Sequence, residues 1–167
     1  MSDTGRVYRE AIEVTNALQI ARPTLGGETG IELFRMLRLV AYEDIMGKAA
    51  GGIVYYAGKK LGRSLGLTSL EEFLELCKQQ KIGIIEVPTM KPTQIQVNVY
   101  ECATCSGLTP VGRTLCHFEG GLIAGAVESI LKKKIRARET TCIGGLGHDC
   151  CGFDLEVIDE PLPNDLA

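Results

Sequence analysis

Six of the seven cysteines in this 167-residue chain lie between positions 102 and 151. They are Cys102, Cys105, Cys116, Cys142, Cys150 and Cys151. Cys77 stands apart on a predicted helix, where a single thiol is most simply a small core residue. The odd count argues against a complete disulfide framework, and the N-terminus lacks the basic-then-apolar pattern of a secretion signal. We therefore expect a cytoplasmic, reducing setting, in which clustered cysteines serve metal or redox chemistry.

The spacing of these cysteines suits zinc, which takes four thiolate, imidazole or carboxylate ligands in a tetrahedron. Cys102 and Cys105 form a CxxC motif at a strand-to-turn junction, where both sulfurs can bend toward one ion. Cys142 and Cys150 stand at the two ends of a hairpin loop and can close together across it. Cys116 lies near the start of a helix. There are more candidates than places around one ion.

Two sets of four ligands therefore compete. The first set is Cys116, Glu139, Cys142 and Cys150, and the second is Cys102, Cys105, Cys142 and Cys150.

The first set carries a geometric condition. Glu139 and Cys142 are three residues apart, so a regular strand would send them to opposite faces, and Thr140–Thr141 must bend or bulge the chain. Only one of the adjacent Cys150 and Cys151 should point inward. Buried free thiols without metal and a redox-active CxxC are the alternatives to zinc. The CxxC does not open a helix after a strand, so the context that stabilises a redox thiolate is missing.

The elements that must position these residues change in type halfway along the chain. Periodicity predicts helices in the first half, and Ser69 with Glu72 has the spacing of a capping box. The helix over 30–46 is so apolar that it belongs in a core or a subunit interface. The predicted helices span 6–18, 30–46, 48–65, 69–80 and 112–134. The predicted strands span 82–88, 94–102, 135–142 and 151–158, with a loop over 144–149.

This order of elements predicts one α+β domain over 1–167, with a helical extension over about 1–25. The helical N-terminal half would pack on a small, mainly antiparallel four-stranded sheet. A net charge of −3 without a concentrated basic face argues against nucleic-acid binding. No window approaches 18 uninterrupted apolar residues, so we expect no membrane span.

The stretch over about 95–158 resembles the 4-vinyl reductase domain family. Three features carry the resemblance: Cys116 heading a glycine-rich helix, the Glu139-x-x-Cys142 motif, and the run from Gly145 through Cys150 to the last strand. The sensor domains of phenol- and xylene-responsive transcription activators are similar. That resemblance implies zinc bound by the first ligand set, Cys116, Glu139, Cys142 and Cys150. Cys102 and Cys105 are extra relative to the sensor pattern and stay a possible alternative.

The resemblance also implies a fold similar to trafficking-complex subunits, with a pocket for a small hydrophobic or aromatic molecule. Candidate pocket residues are Phe34, Tyr55, Tyr56, Tyr100 and Phe118. We therefore predict a zinc-stabilised, non-catalytic binding protein, sensory or carrier in role and homodimeric. The alternatives are an enzyme that reduces tetrapyrrole vinyl groups and a dimeric scaffold. The reductase alternative lacks a GxGxxG motif after a strand and an iron–sulfur cysteine spacing.

Overall fold

The computed structural model describes residue 17 and residues 19–161, with side chains through residue 158. All of the helix predicted over 6–18 except residue 17, and most of the predicted N-terminal extension, lie outside these residues. Within the described part of the chain, no helix combines the length and the apolar character needed to cross a bilayer.

Helices form the first half of the described chain, as the periodicity predicts. The segment predicted as one helix over 30–46 divides into α1 (Ile31–Arg35), a π-helical turn (Met36–Ala41) and α2 (Tyr42–Met46). A 3₁₀ turn (Gly47–Ala49) follows. Two regular helices come next, α3 (Ala50–Ser64) and α4 (Leu70–Gln79).

The capping box at the start of α4 is present. The backbone N–H of Glu72 donates to Ser69 Oγ at 3.2 Å, and the N–H of Ser69 donates to Glu72 Oε2 at 3.3 Å. These bonds satisfy two of the amide groups that a helix start leaves without partners.

Four antiparallel strands form the sheet, in the order β1-β2-β4-β3. They are β1 (Ile84–Met90), β2 (Gln94–Tyr100), β3 (Lys133–Thr141) and β4 (Cys151–Pro161). In β2, alternate residues from Ile95 to Val99 face the core, as a sheet covered on one side requires. A helical N-terminal half packed on a small antiparallel sheet is the predicted fold class.

Two elements differ most from the sequence prediction. The helix predicted over 112–134 is α5 (His117–Leu131), because Gly112 lies at φ +81° with its N–H bonded to Gly145 O, and Lys132 ends the helix in the left-handed region. The loop predicted over 144–149 contains a short helix, α6 (Ile143–Leu146).

Helix α5 is the centre of the fold, and every residue from Glu119 to Glu128 is buried. Helix α3 packs against α5 so closely that the two backbones are in contact where glycines lie on both helices. A Cβ built on Gly121 would lie 2.0 Å from Tyr55 O, and one on Gly125 would lie 2.0 Å from Lys59 O. These glycines therefore serve helix packing.

We expect Gly121→Ala to lower the free energy of unfolding by about 1–3 kcal/mol or more, because a backbone carbonyl cannot move aside as a side chain does. Gly52→Ala is the matched control on α3, since a Cβ there meets no atom within 4 Å. That control should be neutral or stabilising by up to about 1 kcal/mol, the difference in helix propensity. Urea unfolding measures both, and equal effects would contradict the close α3–α5 contact.

Candidate functional site

Five cysteine side chains from four separate segments meet in the core. Cys102 and Cys105 come from the turn after β2, and Cys116 from the residue before α5. Cys142 follows β3 and Cys151 begins β4. Each is 0% exposed. We call these five residues the cysteine cluster.

Cys116 lies at the centre of the cysteine cluster. Its Sγ is 3.3 Å from that of Cys105, 3.5 Å from Cys102, 3.6 Å from Cys151 and 3.9 Å from Cys142. The sulfurs of Cys105 and Cys151 are 3.2 Å apart. A tetrahedron with Zn–S bonds of about 2.3 Å has edges of about 3.8 Å. The sulfurs are therefore close enough to share a metal ion.

Glu139 joins the edge of the cluster because β3 changes register after it. The pairing of β3 with β4 shifts between Glu139 and Thr141, at the position where the ligand spacing requires a bulge. Glu139 Oε2 accepts the backbone N–H of Cys116 at 2.9 Å, whereas the buried Oε1 has no hydrogen-bond partner. Burial, and next the hydrogen bond with Cys142, raises the pKa of Glu139 to about 9. A buried carboxyl oxygen without a partner fits a metal ligand.

The structure brings together three of the four residues in the first ligand set: Cys116, Glu139 and Cys142. Cys150 lies outside the cluster, half-buried, with its Sγ 3.9 Å from Thr141 Oγ1. Cys151 takes the fourth place, within 4.8 Å of the other three ligand atoms.

Inward and outward side chains alternate along β4, and this alternation is the sequence signal that Cys151 points into the core. Cys151, Phe153, Leu155 and Val157 are spaced by two and all face the core. The phase of a strand decides which of two adjacent residues points inward.

Cys102 and Cys105, the possible alternative ligands, also point into the cluster. Together with Cys116 and Cys151 they form a second group of four sulfurs within 4.8 Å of one another. The pKa of Cys102 is lowered by its hydrogen bonds with Cys105 and Cys116, while the pKa of Cys116 is raised by Cys102 and Cys105.

Groups outside the sulfurs orient the cluster. The backbone N–H of Ile143 donates to Cys151 Sγ at 3.5 Å, and the N–H of Cys142 donates to His148 Nδ1 at 3.3 Å. Hydrogen bonds of this kind fix ligand orientation in metal sites.

Residues 31–46, from α1 through α2, form the first helical segment of the described chain. Two of its arginines contact the turn that carries Cys102 and Cys105. Arg35 donates to Ala103 O at 2.7 Å and to Ser106 O at 2.8 Å. Arg38 donates to Thr104 Oγ1 at 2.5 Å and forms a buried ion pair of 2.7 Å with Glu119 on α5. Both arginines therefore tie this turn to the helical segment over residues 31–46.

The five predicted pocket aromatics do not gather around one pocket. The rings of Phe34 and Phe118 lie 5.4 and 5.1 Å from the Arg38 guanidinium. The hydroxyl of Tyr55 accepts the N–H of Ala137, and its ring lines a cleft beside Cys116 and Glu139. Tyr56 is 63% exposed, and Tyr100 is half-buried at the end of β2.

A separate cavity lies between α4, strands β1 and β2, and the second half of α5. We call it the apolar cavity. Only apolar side chains line it: Leu70, Phe73, Ile85, Val87, Met90, Ile95, Val97, Ile123, Val127, Ile130 and Leu131. None of these side chains is among the five predicted pocket aromatics.

Residues 95–157 match the profile of the 4-vinyl reductase domain. The chain is 36% identical over 135 residues to the uncharacterized protein MJ1642 of Methanocaldococcus jannaschii, covering 81% of this chain and 82% of that protein. A second uncharacterized protein of that organism, MJ0150, is 36% identical over 143 residues, covering 82% and 81%.

Solved structures below 25% identity share the fold. A vinyl-4-reductase family protein from M. jannaschii has a TM-score of 0.64 at 19% identity, covering 81% of this chain and 85% of that one. The phenol-responsive sensory domain of the transcription activator PoxR, solved with phenol, has a TM-score of 0.59 at 15% identity, covering 77% and 75%. Trafficking protein particle complex subunit 3 from Naegleria fowleri, covalently bound to palmitic acid, has a TM-score of 0.57 at 15% identity, covering 80% and 98%.

The adjacent cysteines give a matched test of the ligand set. We expect Cys151→Ser to lower the zinc retained by the purified chain, because its sulfur belongs to both groups of four ligand atoms. Cys150→Ser should retain as much zinc as the wild type, since its sulfur faces Thr141. Elemental analysis after gel filtration measures both. Loss of zinc with Cys150→Ser alone would contradict this arrangement.

Proposed function

The chain belongs to the 4-vinyl reductase domain family, and from that premise we propose that it is a small-molecule-binding sensory domain for a hydrophobic or aromatic ligand. The observation that carries this proposal is the apolar cavity, whose lining side chains include no polar group. Its volume is about 20 Å³, so these side chains must move apart to admit an aromatic ring. Two proteins of the same fold support it, since one was solved with phenol and the other with palmitic acid.

The chemistry of the cavity selects the class of ligand. A charged or strongly polar molecule would lose its hydration without gaining hydrogen bonds there, which costs several kcal/mol. An apolar molecule, or the ring of an aromatic one, would exchange water for contacts with Phe73, Ile123 and Val127. The cavity wall includes α5, so a bound ligand would contact the central helix of the fold.

We propose zinc as the metal, held by Cys116, Glu139, Cys142 and Cys151. Three thiols and a carboxyl with an unpartnered buried oxygen are a donor set that zinc accepts. Four protein ligands close a tetrahedral shell and leave no position for an activated water, which supports a structural role and a non-catalytic protein. The thiols must stay reduced to bind, which supports a cytoplasmic location.

We further propose that the chain is a homodimer through its first helical segment. Leu33, Met36, Leu37 and Val40 form a stripe at helical spacing, and they are 59%, 55%, 47% and 64% exposed in a single chain. Ile53 and Tyr56 on α3 are also exposed. An extended apolar surface of this kind is typical of a protein–protein interface.

The ligand hypothesis is tested by filling the cavity. Toluene and phenol should raise the melting temperature of the wild type, because a ligand at 100 times its Kd stabilises by about 2.7 kcal/mol. Ile130→Phe places a larger side chain on the cavity wall and should abolish that rise. Val111→Phe, an exposed position outside the cavity, is the control and should keep it.

Equal stabilisation of the two variants would place the ligand outside the apolar cavity. Incubation with styrene, an apolar aromatic molecule that carries a vinyl group, and mass spectrometry of the recovered molecule add a second readout. We expect it to be chemically unchanged, and a reduced product formed with an added electron donor would favour the reductase hypothesis.

The dimer hypothesis is tested by charging the exposed stripe. Sedimentation equilibrium should give the wild type about twice its 18.1 kDa chain mass. Leu37→Glu with Val40→Glu should give the mass of one chain, because two buried, unpaired carboxylates in the interface cost several kcal/mol. Ile84→Glu, an exposed position on edge strand β1, is the control and should remain dimeric. A wild type that sediments as one chain would overturn the hypothesis.

A further inference from the structure

We propose that the cysteine cluster holds two metal ions that share the thiolates of Cys116 and Cys151. The first ion takes Glu139 and Cys142 as its other ligands, and the second takes Cys102 and Cys105. This inference rests on the metal site of the proposed function and adds a second ion to it.

The grouping of the ligand atoms carries the inference. Two sets of four potential ligands each lie within 4.8 Å: Cys102, Cys105, Cys116 and Cys151 in one, and Cys116, Glu139, Cys142 and Cys151 in the other. The sets have two sulfurs in common. A tetrahedral ion binds four ligands, so one ion cannot use all six donors. Two tetrahedra that share an edge can.

Three of the sulfur distances agree with a shared edge. The sulfurs of Cys105 and Cys142, which would bind different ions, are 3.9 Å apart and must separate when both ions bind. Cys116 and Cys151 would form this edge, and their sulfurs are 3.6 Å apart, near the tetrahedral edge of about 3.8 Å. Sulfurs on the side of the second ion are 3.2 Å apart for Cys105 and Cys151 and 3.5 Å apart for Cys102 and Cys116. An iron–sulfur cluster would insert iron and sulfide between the thiolates, and these sulfurs are too close together to admit it.

The turn that carries Cys102 and Cys105 is built to present both sulfurs to one side. The backbone N–H groups of Cys105 and Ser106 both donate to Cys102 O, at 3.2 and 3.0 Å. Arg35 holds this turn in place by donating hydrogen bonds to Ala103 O and Ser106 O. Such a closed CxxC turn is common in structural zinc sites.

One bound ion and two bound ions require different protonation states of Cys102 and Cys105. Five thiolates and one carboxylate carry a formal charge of −6, so one Zn²⁺ leaves −4 and two leave −2. A single ion would therefore require Cys102 and Cys105 to remain neutral thiols, because buried anions without partners are too costly. Two ions allow all six donors to bind as anions.

The test counts metal in the full chain. The protein is purified under reducing, anaerobic conditions, loaded with Zn²⁺ and gel-filtered, and its zinc content is measured by elemental analysis. We expect two ions per wild-type chain. The paired variant Cys102→Ser/Cys105→Ser should retain one ion, and Glu139→Gln/Cys142→Ser should also retain one. Cys77→Ser removes a buried thiol outside the cluster and should retain two.

Cobalt loading tests the shared thiolates. Bridging thiolates couple two Co²⁺ ions, so the magnetic moment per cobalt should fall as the second equivalent binds. Two ions without that fall would overturn the shared edge. The wild-type count and this coupling do not depend on whether any variant folds.

The remaining outcomes separate this inference from the proposed metal site. One ion per wild-type chain, lost with Glu139→Gln/Cys142→Ser and kept with Cys102→Ser/Cys105→Ser, would overturn the second ion and leave the first in place. One ion with the reverse dependence would overturn both assignments. A wild type that retains no metal would also overturn both.

Discussion

Helix α5 has no side facing solvent, and the rest of the structure must cover it. A helix buried all round can contain polar groups only if each finds a partner. Glu119 pairs with Arg38 through Oε1, whereas its Oε2 has no hydrogen-bond partner. Glu128 binds Lys59, Arg63 and the backbone N–H of Ile135. Both carboxylates are thus neutralised by side chains from the helices that cover α5. Losing Arg38 would leave Glu119 as a buried, unpaired charge, which costs about 3–5 kcal/mol.

The two candidate sites lie at opposite ends of this helix. Cys116, immediately before its first residue, is the centre of the cysteine cluster, whereas Ile123, Val127 and Leu131 line the apolar cavity. Between them, Glu119 connects α5 to Arg38 and so to the first helical segment. A displacement of α5 by a ligand must therefore carry this ion pair with it or break it.

Sequence patterns predicted the fold class and most elements because each pattern is local. The capping box at Ser69 and the alternation of β2 depend on neighbouring residues alone. The requirement for a bulge near Thr140 also followed from strand geometry, and the β3–β4 register shifts there. Helix boundaries were less predictable. The start of α5 depends on a bond from Gly112 to Gly145, thirty-three positions away, which no local pattern contains.

The candidate site divides in the same way. Residue types and spacing identified the cysteines and Glu139, but the choice between Cys150 and Cys151 depends on the phase of β4. Cys151 is in phase with Phe153 and Leu155, so this choice was within reach of the sequence. The sequence could not predict that Cys102 and Cys105 would lie against Cys116. Their position depends on Arg35, which holds the turn from nearly seventy residues away. The apolar cavity shows the same limit, since its walls come from four elements and each wall residue alone is typical of a core.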